Sequence, residues 1–268
     1  MRTYDHGVGV PLVAVMDQLG IMTKQFFTFQ SLTGMDAALA KIRPHTSSSL
    51  PHQRSPANLL IALESTLNEK TTHPSPTAYF AALLTTLDAT IQKEDVALGD
   101  GDVLPAELYL LALIVPFVAT PVIQTNLKAI VSLTGPLFPL LIPHAPPLRS
   151  QLALYQIVFQ SSDRSQLETP GIRQSFASIL QLCIDPRPKV RKKAANVVQD
   201  LLASPPAPLA RHPYAEAVAD WVKSTLSKVT IVPLSRAKTP DSLSAEIAIH
   251  ILAFLRPVLP KFPPPVSD

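Results

Sequence analysis

The sequence predicts an all-α protein built as a row of stacked helical hairpins. Three observations carry that prediction. Apolar residues recur at the helical period, hydroxyl or carboxylate side chains precede prolines at the head of the apolar runs, and strand-type alternation never persists. The chain has 268 residues, 47% hydrophobic and 16% charged, enough apolar material to bury a large core and too much for disorder to dominate. Its 28 prolines against 8 glycines argue against collagen, flexible linkers and glycine-built phosphate loops.

The prolines mark where helices begin. Ser55-Pro56, Ser75-Pro76, Thr120-Pro121, Thr169-Pro170, Asp185-Pro186 and Thr239-Pro240 each place an acceptor before a proline and lead into an apolar-periodic run. In that arrangement the acceptor satisfies a free backbone N–H, and the missing N–H of proline costs nothing in the first turn. The first run places Leu59, Leu60, Leu63 and Leu67 on one face, and the connector Thr71 to Pro74 folds it back onto a helix carrying Phe80, Leu83, Leu84, Leu87 and Ile91. Further pairs are predicted at Leu104 to Ala119 with Pro121 to Thr134, Pro146 to Ser161 with Pro170 to Ile184, and Pro186 to Ala203 with His212 to Val229. A last helix is expected from Pro240 to Leu255. Hairpins recurring at roughly 40 to 50 residues predict a solenoid rather than one closed bundle. In a solenoid ending there, Ile249, Leu252 and Phe254 of the last helix are expected to be exposed.

The segment from Asp185 to Leu202 narrows the repeat type. An aspartate, Val190-Arg191 five residues on, Ala194 and then Val197, Val198 and Leu201 match the second helix of a HEAT repeat, so the fold class is a HEAT/armadillo-like solenoid. Val190, Ala194, Val197, Val198 and Leu201 share one face. Arg191 flanks it and is expected to form a structural pair with Asp185, while Lys189, Lys192 and Lys193 point away. No acidic residue interrupts Pro186 to Gln199. Arg187, Lys189, Lys192 and Lys193 are therefore candidate RNA-phosphate contacts, the alternative being a solvated outer face. No aromatic residue interleaves them, so base stacking is not indicated.

Other features point to structure rather than chemistry. Cys183 lies among Ile172, Phe176, Ile179 and Leu180 and reads as a buried inert thiol; a single cysteine makes no intramolecular disulfide and fits a reducing compartment. Seven histidines are dispersed without metal-ligand spacing, and Gly99-Asp100-Gly101-Asp102 reads as a polar turn rather than a calcium loop. Neither a Gly-x-Gly-x-x-Gly, nor a Gly-Lys-Ser/Thr loop, nor a Gly-x-Ser-x-Gly elbow occurs, so no catalytic residue, cofactor, metal or small-molecule substrate is assigned. Trp221 is expected to pack with Val218, Val222 and Leu226, with a surface anchor as the alternative. Pro257 to Pro265 contains two Pro-x-x-Pro spacings of the polyproline II type, read as a frayed end. The run Gly7 to Met16 lacks a basic lead and a cleavage site and contains Pro11, so it is not read as a signal peptide. Leu108 to Ala119 is too short to span a membrane and reads as a buried helix.

Several strings in order resemble landmarks of the ribosomal RNA-processing protein 12-like family: Ala40-Lys-Ile-Arg-Pro-His-Thr46, Pro76-Thr-Ala-Tyr79-Phe80-Ala-Ala-Leu-Leu84, Asp185-Pro-Arg-Pro-Lys-Val-Arg-Lys-Lys193, Pro205-Pro206 and His212-Pro213. The resemblance covers about Ala37 to Leu255 and divides the chain into an N-terminal segment of unassigned structure (1–36), HEAT-type repeats (37–257) and a proline-rich tail (258–268). It implies a non-enzymatic nuclear and nucleolar scaffold, with possible shuttling to the cytoplasm. That scaffold would act in pre-rRNA processing and in small-subunit precursor assembly or export. The implied partners are pre-ribosomal proteins, precursor ribosomal RNA and export machinery, with no membrane. The alternative is a karyopherin-like protein-binding adaptor without RNA contact.

Overall fold

The computed structural model describes residues 33–69, 74–93, 97–230 and 242–262, and these contain helices, turns and no strand. Residues 33–40 form α1, and a 3-10 turn at Arg43–Ser47 leads to α2 (Pro51–Asn68) and α3 (Pro76–Ile91). After α4 (Val103–Ile114) the chain breaks into three short helices, α5 (Thr120–Thr125), α6 (Leu127–Thr134) and α7 (Leu137–Leu141). Then come α8 (Ala145–Ser161), the single turn α9 (Arg164–Leu167), α10 (Pro170–Leu182), α11 (Pro188–Ala203), α12 (Ala215–Thr230) and α13 (Ser242–Val258).

The helices stack in two layers. On one layer α2 touches α4, α4 touches α8, α8 touches α11 and α11 touches α13. On the other, α3 meets α6 and α6 meets α10, and α3–α4, α10–α11 and α12–α13 contacts tie the layers together. Each long helix thus buries its apolar face on helices of its own and the adjoining hairpins, the signature of a solenoid. The core runs continuously from Met35, Leu39 and Leu60 through Leu83, Leu108 and Tyr155 to Val198, Val218 and Phe254. Helix α4 is buried almost all round, as expected of a helix clasped by α2, α3 and α8.

The acceptor-proline pairs divide by context. Ser75 caps α3 as expected, accepting from the Ala78 N–H with Pro76 in the first turn. Thr169 is the N-cap residue of α10, but its hydroxyl donates to the Gln166 carbonyl instead. Ser55-Pro56 does not begin a helix: α2 starts at Pro51, and Pro56 lies inside it on the buried face. Ser55 donates to the Gly101 carbonyl, so that hydroxyl ties α2 to the turn before α4. At that turn Gly101 has φ +98°, and a Cβ there would lie 2.7 Å from the Pro51 side chain, so only glycine fits. Thr120 is already helical, with Ala119 as the cap, and Asp185 lies two residues before Arg187, the N-cap of a helix that starts at Pro188. Thr239-Pro240 lies outside the described residues.

The chain end also departs from expectation. Pro257 is inside α13, and Leu259–Lys261 make a 3-10 turn, so the first Pro-x-x-Pro spacing is helical rather than polyproline II. Ile249 and Leu252 are 63% and 60% exposed as expected, but Phe254 is 3% exposed because its ring packs edge-on against Trp221 at 5.9 Å.

Candidate functional site

Helix α11 positions the basic stretch. Val190, Ala194, Val197, Val198 and Leu201 are all buried, and this face packs on α8, α10 and α13. The helix is entered through Asp185, whose nearly buried carboxylate receives the Arg187 backbone N–H at 2.8 Å and the Arg187 guanidinium at 2.9 and 2.7 Å. Burial alone pushes the Asp185 carboxyl upward, but the side-chain and backbone hydrogen bonds from Arg187 outweigh it and hold the group below the usual aspartate range. Arg191 does reach Asp185, though not its carboxylate: Nη1 donates to the main-chain carbonyls of Asp185 at 2.7 Å and Pro186 at 3.2 Å. The expected charge pair is thus exchanged for a clamp in which Arg187 takes the carboxylate and Arg191 the carbonyls. Both arginines are half-buried.

The four candidate phosphate ligands separate accordingly. Arg187 is committed to Asp185. Lys193 does not point away. It is half-buried, its ammonium donates to Gln156 Oε1 of α8 at 2.8 Å, and burial lowers its pKa against a smaller upward pull from Asp200. Gln156 in turn donates to Asp200 at 2.7 Å, which closes a Lys193–Gln156–Asp200 bridge between α8 and α11. Three residues beyond Val190 is 300° around the helix, which places Lys193 beside the buried face and against α8. Lys189 and Lys192 are exposed with no hydrogen-bond or ion-pair partner among the described residues, leaving two cations for solvent or a ligand.

The Asp185 clamp supports a stability test. Asp185→Ala removes the carboxylate that holds both the Arg187 N–H and its guanidinium, and is expected to cost about 1–2 kcal/mol. Urea melts of the two proteins check this. A loss below a few tenths of a kcal/mol would show that the clamp contributes nothing net.

Other residues singled out in the sequence lie around this helix. Cys183 is fully buried, its thiol directed at the Ile179 carbonyl at 3.6 Å, and burial pushes it far above the ordinary thiol range. Trp221 is half-buried, packed against the core and edge-on to Phe254. Among the described residues no group of three or more His, Cys, Asp or Glu is placed to hold a metal ion, and no helix is long and apolar enough to cross a membrane.

Three features escape the linear reading. Arg43 donates to Glu64 at 2.7 Å and Tyr79 Oη donates to the same carboxylate at 3.0 Å, which joins two of the sequence landmarks through a residue of neither. Tyr155 sits at the centre of the core with Thr134 and Ser175 hydroxyls at 3.1 and 3.0 Å, linking α6, α8 and α10. Finally, two open grooves run along the second layer. One, about 860 Å³ between α6 and α10, is lined by Leu127, Val131, Pro136 and Ile172 with amides and hydroxyls, and Lys128 is its only charge. The other, about 720 Å³ between α10 and α12, has an aromatic floor and charged walls.

Comparison with known proteins accords with this architecture. A family model described as RRP12-like, N-terminal HEAT repeats, matches residues 36–267. Ribosomal RNA-processing protein 12 of Saccharomyces cerevisiae is 26% identical over 234 residues, covering 81% of this chain and 19% of that protein. The RRP12-like proteins of Gallus gallus and Homo sapiens are 27% and 26% identical, each over 76% of this chain and 15% of the relative. The chain therefore spans less than a fifth of the length of these relatives. No solved structure matches it.

Proposed function

We propose that this chain, which belongs to the RRP12-like family of N-terminal HEAT repeats, is a non-enzymatic scaffold of ribosome biogenesis. In this reading it acts in pre-rRNA processing and in small-subunit precursor assembly or export. The observation that carries the reading is a family match over almost the whole solenoid, joined to a relative named for ribosomal RNA processing. The physical form suits the role: stacked repeats offer long surfaces to large partners. Its partners are pre-ribosomal proteins and precursor ribosomal RNA, and its place of action is the nucleus and nucleolus, with shuttling to the cytoplasm where export is the task.

RNA contact in this reading falls to Lys189 and Lys192, which are exposed on the first turns of α11 and unpaired among the described residues. A lysine on a phosphate displaces condensed counterions, so affinity carries a salt slope of about one unit per contact. An adaptor that binds only proteins is the second reading. It is favoured by the commitment of Arg187 and Lys193 to partners within the chain, which leaves half of the basic cluster.

The Lys189→Glu/Lys192→Glu double variant separates the two. It should fold as the parent, because neither ammonium pairs with another of the described residues. Its association with precursor ribosomal RNA should weaken, and the slope of log affinity against log salt should fall by about two units. An unchanged slope assigns the helix to a solvated face and leaves the adaptor reading in its place.

A further inference from the structure

The groove between α10 and α12 lies on the layer that does not carry Lys189 and Lys192, and its two walls carry opposite charge. The α12 wall presents Glu216 and Asp220, one turn apart. The facing side presents Arg173 on α10 and Arg211 in the approach to α12. All four are exposed, and none of their side chains forms an ion pair or hydrogen bond with another described residue, although Arg164 and Glu168 at the same mouth do pair, at 3.1 Å. Between the walls the floor is apolar. Phe176 and Tyr214 stack with ring centroids 4.2 Å apart, Leu180 lies beside them, and Trp221 forms the far end.

Ala177 and Ala217 are also exposed and line the groove, one from each wall. Two small residues at mid-groove let a third backbone approach closely, and larger side chains there would fill the cleft. The spacing of the wall residues, one helical turn apart on α12, matches that of side chains along a docked helix.

We propose that this groove docks an amphipathic helix of a partner protein, with its apolar stripe over the Phe176, Leu180 and Trp221 floor, its basic edge along Glu216 and Asp220, and its acidic edge toward Arg173 and Arg211. Charge complementarity fixes the class of occupant and its orientation. A nucleic acid is disfavoured because its phosphates would meet the Glu216 and Asp220 wall. The α6–α10 groove carries a single cation, Lys128, and specifies no comparable partner. The proposal deepens the scaffold reading by naming a kind of partner, yet it rests on different residues from the RNA contact.

The test uses the intact chain and a fluorescein-labelled helical peptide of about 18 residues with a leucine stripe, lysines along one edge and glutamates along the other. Binding is expected near micromolar affinity and to weaken about tenfold or more in Glu216→Lys/Asp220→Lys. A second peptide, its lysine edge changed to glutamate, should recover affinity for that variant and lose it for the parent. The Lys189→Glu/Lys192→Glu protein should bind the first peptide as the parent does, so a failure of the RNA reading leaves this result standing. No binding of the first peptide, or equal binding before and after charge reversal, overturns the proposal.

Discussion

Glu107→Gln is expected to stabilise the protein at neutral and alkaline pH and to do nothing at acid pH. Glu107 lies on α4 between Leu104, Leu108 and Leu111 and is 1% exposed. Its Oε1 accepts from the Thr90 hydroxyl at 2.9 Å, while Oε2 has no partner. Burial pushes its pKa from 4.5 up to about 7, against smaller downward pulls from the Thr90 and Thr86 hydroxyls and from Lys93. Below about pH 4.5 the carboxyl is protonated both folded and unfolded, so it makes no difference to stability. Between about pH 4.5 and 7 the unfolded chain ionises and the folded chain does not, and the penalty grows by about 1.4 kcal/mol per pH unit. Above pH 7 it levels off near 3 kcal/mol. The glutamine variant keeps the shape without the charge, so its Tm should exceed the parent's by roughly 6–12 °C at pH 8 and match it near pH 4.5. Parallel Tm curves across that range would show that Glu107 finds solvent in the folded state.

Glu107 also shows where the sequence was legible and where it was not. Its spacing of three from Leu104 and four from Leu111 places it in the apolar stripe of α4, a signal available from periodicity alone. What the spacing omits is the neighbour: Thr86 and Thr90 come from α3. The same division holds elsewhere. The buried faces of α3, α10 and α11 follow from i, i+3, i+4 spacing, and Ser75 with Pro76 marks the start of α3, because capping and amphipathicity are local. Cys183 is read correctly for the same reason. The apolar spacing predicts one helix over Pro121 to Thr134. Asn126, at φ −95° and ψ 6°, interrupts it instead, and α7 follows beyond Gly135 and Pro136. Helix α9 carries a complete capping box, Asp163 with Gln166, a pattern visible in the sequence but hard to credit over a single turn. At the candidate site the wheel of α11 identifies Lys189 and Lys192 as outward, but no wheel contains Gln156 of α8, which claims Lys193, or predicts that Arg187 outcompetes Arg191 for the Asp185 carboxylate. The charged groove is largely non-local, since Arg173 and Phe176 lie about forty residues from Glu216 and Asp220, roughly one repeat, although Arg211 is close to Glu216 in sequence.

Removing the Phe159 ring should divide the solenoid. This residue of α8 is 1% exposed, and its ring lies 5.5 Å from Tyr155, 5.8 Å from Phe176 of α10 and 6.4 Å from Tyr214 just before α12. Phe138 of α7 extends the same cluster through Tyr155 at 5.3 Å. One side chain therefore couples the middle of the array to its later half. Phe159→Ala forfeits the burial of the ring, leaves a cavity and loses three edge or tilted ring contacts, a cost of about 3–5 kcal/mol. In a chain that behaves as a sum of repeats and nearest-neighbour interfaces, such a loss acts on the interface that contains it. The early helices keep their own stretch of the continuous core, Leu60, Leu83, Leu87 and Leu108, with the Arg43–Glu64–Tyr79 link intact. Hydrogen exchange on the variant should accordingly show amides of α10 through α12 losing protection while those of α2 through α4 keep theirs, and thermal unfolding should broaden into two steps. Phe159→Leu, which restores part of the volume, should recover part of both effects. A uniform loss of protection from α2 to α12 would mean that the array unfolds as one unit, and the coupling attributed to this ring would then belong to the fold as a whole.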